Sequence, residues 1–157
     1  MFTLYTPTPL GKMLLLANAG ALLGAWFSGQ KYYPEHCAAW EQSPSHPVLR
    51  AAADQLAAYF SGKRRIFDIP LEPRGTEFQR SVWKNLLDIP YGGTCSYSEL
   101  AFRAGAAAAR PVGAAVGKNP ISVIIPCHRV IGKNGGLTGY AGGLDRKARL
   151  LALETTR

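Results

Sequence analysis

The stretch PLEPRG, residues 70–75, places two prolines and a glycine within six positions. Proline fixes φ and donates no backbone hydrogen bond, and it pushes the residue before it toward extended backbone. Neither a helix nor a central strand runs through such a segment. The chain must therefore organise itself on either side, and a boundary near Pro73 divides its 157 residues into 1–73 and 74–157. Each piece is long enough for one small domain.

The two sides read differently. Before the boundary, FTLYT, MLLLA and LLGAWF are short apolar runs separated by PTPLGK and NAGA, the pattern of strands joined by turns. A helix follows, with Ser45 as its cap, Pro47 in its first turn, and Leu49, Ala53, Leu56 and Phe60 as its apolar stripe; Gly62 ends it. KRRIFDIP is basic and strand-like, and PLEPRG reads as a linker. This is a small α/β domain. After the boundary the period is helical. TEFQ and SYSE are capping boxes, Thr76 with Gln79 and Ser96 with Glu99. The first opens a helix carrying Phe78, Val82, Leu86 and Leu87, and the second opens one that Gly105 closes. AAAARPVGAAVGKN is a third helical segment, which tolerates Pro111 only in its first turn. SVIIP and RVIG read as strands, KNGG as a hairpin turn between strands, and LDRKARLLALE as a last helix. Helices about a glycine-containing turn, followed by a hairpin, describe a winged helix-turn-helix.

Charge follows the same division. Residues 1–73 carry six Lys or Arg against five Asp or Glu, a net of +1, whereas residues 74–157 carry twelve against five, a net of +7. A basic half points to a polyanion partner, nucleic acid ahead of a membrane surface, since no basic amphipathic helix with a large aromatic face supports the latter. MFTLYTPTPLGK lacks the pattern of a secretory leader and no apolar run reaches membrane-spanning length, so a soluble cytoplasmic protein is expected. The three cysteines, Cys37, Cys95 and Cys127, form no CxxC and no even framework, which favours free thiols. His36-Cys37 and Cys127-His128 match no zinc-site spacing, so no metal is expected. The third helical segment is an unusual reader of nucleic acid. Arg110 is its one long donor before Lys118, and Val112 to Gly117 are all small. A helix that reads base edges carries Asn, Gln, Arg or Lys. Small residues let a backbone approach closely, into a groove or against the domain's own core, and both readings stand at this point.

Cys127 sits in ISVIIPCHRVIG, between two oily runs, with Pro126 before it and His128 and Arg129 after it. Most free cysteines are buried and inert. Adjacent positive charge stabilises a thiolate, and a proline break presents a side chain, so Cys127 is the candidate nucleophile.

PCHRVIG, preceded by Asn119-Pro120 and followed by GYAGG, resembles the signature of the O6-alkylguanine-DNA alkyltransferases. IPYG, SYSELA, ARPVGAAVGKNP and LLALE fall in that family's order from about Phe78 to Glu154, and residues 1–73 resemble its ribonuclease-H-like domain more loosely. The resemblance implies a single-turnover reaction without cofactor. An alkyl group would pass from O6 of guanine, and less well from O4 of thymine, to Cys127. His128 would take the thiol proton through a water, Glu154 would orient His128, Tyr97 would protonate the leaving guanine, and Asn119 would tie the third helical segment to the cysteine loop. Tyr140, Ala141, Gly142 and Val130 would line the base pocket; Ala141 departs from members with serine there. Ala109, Arg110, Gly113, Ala114, Gly117, Lys118, Thr94 and Ser96 would meet duplex DNA from the minor groove, with the damaged base flipped out. The protein is expected to be a monomer in solution that can assemble cooperatively along DNA.

Overall fold

The computed structural model describes residues 1–35 and 37–155, so His36, weighed above as a ligand, lies outside the described residues. The chain forms two compact units, Met1–Pro73 and Arg74–Arg157.

The first unit is a four-stranded sheet with one long helix. Strands β1 (Phe2–Thr6), β2 (Met13–Ala17), β3 (Leu22–Phe27) and β4 (Glu41–Gln42) lie in the order β3-β2-β1-β4; β1/β2 and β2/β3 are antiparallel, and β1/β4 is parallel. Every residue of β2 and β3 is buried, which explains why both read as unbroken apolar runs rather than alternating ones. Helix α1 (Pro47–Phe60) contributes Leu49, Ala52, Ala53, Leu56 and Tyr59 to the core. Leu14, Leu16, Leu23 and Trp26 form a second cluster, covered by Tyr33, Cys37 and Trp40. Full burial of a leucine such as Leu49 or Leu56 contributes about 1.5–3 kcal/mol. Gly24 is obligatory for the Trp26 packing, because a Cβ there would stand 2.0 Å from the indole ring.

Several local expectations are corrected in this unit. The cap of α1 is His46, whose Nδ1 accepts from the Val48 N–H at 3.2 Å, and not Ser45. The inward stripe uses Tyr59 in place of Phe60 because the helix phase favours the former. KRRIF forms no strand. PLEPRG is no free linker: Leu22 N–H donates to Pro70 C=O at 2.8 Å and Glu72 N–H to Leu22 C=O at 2.9 Å, which docks Leu71 on the start of β3.

The second unit is mostly helical. Helix α2 (Glu77–Leu86) and helix α3 (Tyr97–Arg103) both begin with reciprocal capping boxes, at Thr76/Gln79 and Ser96/Glu99. Gly105, at φ +69°, follows α3 where a left-handed residue ends a helix. Helix α4 (Ala109–Gly117) comes next, and α5 (Leu144–Thr155) is the last. Val82 and Leu86 of the expected stripe are buried, joined by Trp83, whereas Phe78 and Leu87 at its two ends are exposed. Helices α3 and α4 form the expected helix-turn-helix, but the β-hairpin is absent among the described residues. SVIIP is irregular because Pro120 and Pro126 bracket it and Val123 takes φ +73°. Only Val130–Ile131 (β6) is extended, and it pairs in parallel with Cys95–Ser96 (β5). KNGG is a turn, closed by Gly132 N–H on Gly136 C=O at 2.7 Å, in a loop rather than between strands.

Candidate active site and nucleic-acid face

The α4 helix carries two faces. Val112, Ala115 and Val116 are buried, and the Trp83 indole N–H donates to Ala115 C=O at 2.8 Å, anchoring the helix from below. Arg110, Gly113, Ala114, Gly117 and Lys118 recur at helical spacing on the other side, with Arg110, Ala114 and Lys118 exposed. A Cβ added at Gly117 would meet nothing within 4 Å, so internal packing gives no reason for that glycine. At Gly113 a Cβ would reach the Tyr97 ring at 3.6 Å, and the Tyr97 hydroxyl donates weakly to Thr138 and Gly139 C=O at 3.5 and 3.4 Å. Tyr97 thus lies between α4 and the loop that precedes Tyr140. Ala109 is half-buried, Thr94 is exposed, and Ser96 is engaged as the α3 cap.

From α4 the chain passes through Asn119-Pro120 to the nucleophile. Asn119 is buried, its Oδ1 accepts from Ile121 N–H at 3.0 Å, and its Nδ2 donates to Ile125 C=O at 2.9 Å. Cys127 opens a single 3-10 turn, Cys127–Arg129, and is buried. Burial pushes its thiol up to about 11; hydrogen bonds from Asn119 and from local backbone, with the charge of Lys147, pull the other way.

His128 is fully buried, and its Nε2 lies 2.8 Å from Glu154 Oε2. Glu154 is paired with Arg129, through Nε on Oε1 at 2.8 Å and Nη2 on Oε2 at 3.0 Å. A bidentate guanidinium is the strongest of such contacts. A carboxylate only accepts, so His128 Nε2 is the donor and Nδ1 carries the open lone pair; Nδ1 is buried and makes no hydrogen bond. Burial lowers the His128 pKa, against the raising effect of Glu154, so the ring is neutral near pH 7. The arrangement can accept a proton at Nδ1 and stabilise the resulting imidazolium on Glu154.

Sequence reasoning missed two participants. Arg129 reads in the sequence only as positive charge beside the thiol, yet its guanidinium fixes Glu154 and also donates from Nη1 to Ile89 C=O at 2.6 Å. Lys147 is fully buried, with Nζ donating to Val130 C=O at 2.5 Å and Thr138 C=O at 2.6 Å. Burial lowers its pKa, while a Cys127 thiolate would raise it. The available signal was the spacing of Lys147, Leu150 and Glu154 on α5, one helical face with a leucine in its middle. Of the pocket candidates, Val130 is buried in β6 and Ala141 is half-buried. Gly142 is buried under the Tyr140 ring, where a Cβ would clash at 2.5 Å. The Tyr140 hydroxyl is buried beside Ser122 without a well-aligned hydrogen bond, and burial, then the charge of Cys127, holds its pKa well above the usual value. Among the described residues no three His, Cys, Asp or Glu side chains gather as a metal site, and no helix is long and apolar enough to cross a membrane.

Comparison with known proteins covers both units. The model of the 6-O-methylguanine DNA methyltransferase ribonuclease-like domain matches residues 1–73, and that of the 6-O-methylguanine DNA methyltransferase DNA binding domain matches residues 77–156. A methylated-DNA–protein-cysteine methyltransferase of Mycobacterium tuberculosis is 48% identical over 151 residues, 96% of this chain and 90% of that one. Its namesake in Methanosarcina barkeri is 51% identical over 148 residues, 94% and 92% of the two chains. A crystal structure of Mycobacterium tuberculosis OGT in complex with DNA superposes with a TM-score of 0.91 at 45% identity, covering 99% of this chain and 93% of that one.

Proposed function

This chain belongs to the 6-O-methylguanine DNA methyltransferase family, and from that premise we propose that it reverses DNA alkylation by taking the alkyl group from O6 of guanine onto its own Cys127. The observation that carries this reading is the buried His128 ring, next to Cys127 in the chain, with Nε2 anchored on Glu154 at 2.8 Å and Nδ1 without a hydrogen bond.

The thiol gives its proton through a water to His128 Nδ1. Thiolate sulfur then attacks the saturated carbon; the S–C bond forms and the C–O6 bond breaks. The guanine leaves with the electron pair and takes a proton from the Tyr97 hydroxyl. Sulfur is a soft nucleophile suited to this displacement, and the product is a thioether. A thioether is not reopened by thiol exchange, so each molecule acts once. O4-alkylthymine offers the same oxygen-bound carbon and is the poorer substrate. A thiol held up at about 11 is mostly protonated near pH 7, so transfer depends on giving its proton a destination.

Duplex DNA is the partner, and α4 is its contact. The open space at Gly117 and the exposed Ala114 support a helix slim enough for the minor groove, which is only about 6 Å wide. The damaged base must leave the stack to reach Cys127, at a few kcal/mol. Arg110 is flat, carries five donors, and fills the vacated place. The pocket, rather than α4, then reads the lesion, and sequence need not be read.

Intact-mass measurement after incubation with O6-methylguanine duplex tests the proposal. One methyl group should appear, on Cys127, with product never exceeding protein. Repeated turnover without a stable adduct would overturn it in favour of a cysteine hydrolase.

A further inference from the structure

Val123 is the one residue of the second unit, glycines aside and among the described residues, with a left-handed backbone, at φ +73°. It is β-branched and buried, the combination in which that conformation is least tolerated. Its neighbours show the shape. Ile124 N–H donates to Ser122 C=O at 2.9 Å, closing a three-residue γ-turn around Val123 with the rare, strained sign of φ. Cys127 N–H donates to Ile125 C=O at 2.8 Å around Pro126, whose φ of −81° and ψ of 64° make a γ-turn of the ordinary hand. The nucleophile hangs from two γ-turns of opposite hand in series.

Asn119 clamps this pair. Its Nδ2 donates to Ile125 C=O at 2.9 Å, the same oxygen that receives the Cys127 N–H, and its Oδ1 accepts from Ile121 N–H at 3.0 Å. Ile125 N–H adds a bond to Ile121 C=O at 3.0 Å. If φ of residue 123 relaxed to a negative value, the Ile124–Ile125 peptides would turn and carry that shared oxygen away. Strained backbone persists only where its surroundings over-determine it.

We propose that Val123 stores backbone strain beside the nucleophile: its strained turn is held against relaxation by the Asn119 amide, and that clamp fixes where the Cys127 thiol stands. The transfer readout rests on Cys127 being the alkyl acceptor; the backbone argument does not. With the clamp intact, removing the strain changes little. With the clamp weakened, the strain drives the loop away. Glycine takes positive φ freely whereas alanine does not, so the two variants separate strain from loss of the side chain.

The test is a double-mutant cycle with Val123→Gly, Val123→Ala, Asn119→Ser and both double variants. The readouts are single-turnover transfer from methylated duplex, alkylation of Cys127 by iodoacetamide across pH, and melting temperature. Each Val123 variant alone should transfer within about threefold of the parent, and Asn119→Ser should slow both reactions about tenfold and raise the pH midpoint. Adding Val123→Gly to Asn119→Ser should recover about threefold or more and bring the midpoint back, and adding Val123→Ala should recover nothing. Equal behaviour of the two double variants would overturn the proposal. Should the Asn119 variants fail to fold, Val123→Gly must still melt above Val123→Ala, and an equal or lower melting temperature would sink it. If the parent never takes up methyl, the functional reading fails, while iodoacetamide and melting still decide the turn.

Discussion

Among the described residues, the first unit buries Thr3 and Gln30 as its polar side chains, whereas the second buries Asn119, Ser122, His128, Arg129, Lys147 and Glu154. Both units are small, and both have apolar side chains enough to form a core. The first follows the cheaper course of filling its interior with leucine, alanine and aromatic rings. The second takes four ionisable groups out of water, at several kcal/mol for each ion before pairing. Well-packed apolar residues of the same size commonly give equal or better stability. The fold alone gives no reason for the charges in the second unit, and the proposed chemistry at Cys127 supplies one.

This contrast can be broken at single residues. His128→Gln removes the proton acceptor and should slow transfer about a hundredfold or more, from duplex and from free O6-alkylguanine alike. Single-turnover rates on both substrates measure it, and an unchanged rate would return His128 to a structural role. Arg110→Ala should cost about a hundredfold on the duplex alone, since a free base needs no flipping. Arg110→Lys should be nearly as slow; full activity with lysine would reduce Arg110 to a phosphate contact. Glu154→Gln should slow transfer about tenfold per folded molecule and raise the apparent pKa of the thiol. It should also destabilise the second unit by about 3–5 kcal/mol, because it leaves Arg129 without its carboxylate. Leu56→Ala in the first unit should cost about 2–5 kcal/mol in unfolding and leave the pH profile of the thiol where it was.

The pH response sharpens the same contrast. His128 has a folded pKa below its ordinary 6.5, so its contribution to stability is present above that value and lost on acidification. Cys127 has a folded pKa raised from 9.0 to about 11, so its contribution is present below 9.0 and lost as pH rises through about 11. The melting temperature should fall on both sides of neutrality, and His128→Gln should flatten the acid side only.

Legibility followed the locality of the physics. Capping boxes at Thr76 and Ser96 are four-residue events, and α2 and α3 begin where those residues say. The turn at KNGG is equally local, but strand pairing on either side of it is not, and the hairpin failed there. A proline at each end of ISVIIP and a left-handed Val123 turn an oily run into an irregular loop, which hydrophobicity cannot foretell. The cysteine and histidine stood out by motif and the glutamate by the family resemblance, and the structure sets the histidine against the glutamate. Arg129 stood out as charge but not as the partner of Glu154, and Lys147 did not stand out, because the sequence marks a lysine in RKAR as solvent-facing until the helix phase beside Leu150 is taken seriously.

The bonds that build the reactive centre join distant parts of the chain: Trp83 to Ala115 across 32 residues, Arg129 to Ile89 across 40, His128 to Glu154 across 26. The β1–β2–β3 meander of the first unit instead grows through turns such as Thr8–Gly11 and Asn18–Ala21, each between near neighbours, and only its edges, at β4 and Leu71, close over long separations. Loop closure carries an entropy that grows with separation, roughly as (3/2)RT ln n, and structures rich in distant contacts assemble more slowly. Time thus enters the chemistry. The meander and α1 form early, and the surroundings of Cys127 are completed late. A chain caught between those stages exposes an ordinary thiol beside a histidine that Glu154 does not yet hold, and the proposed relay is complete only as the last long loops close.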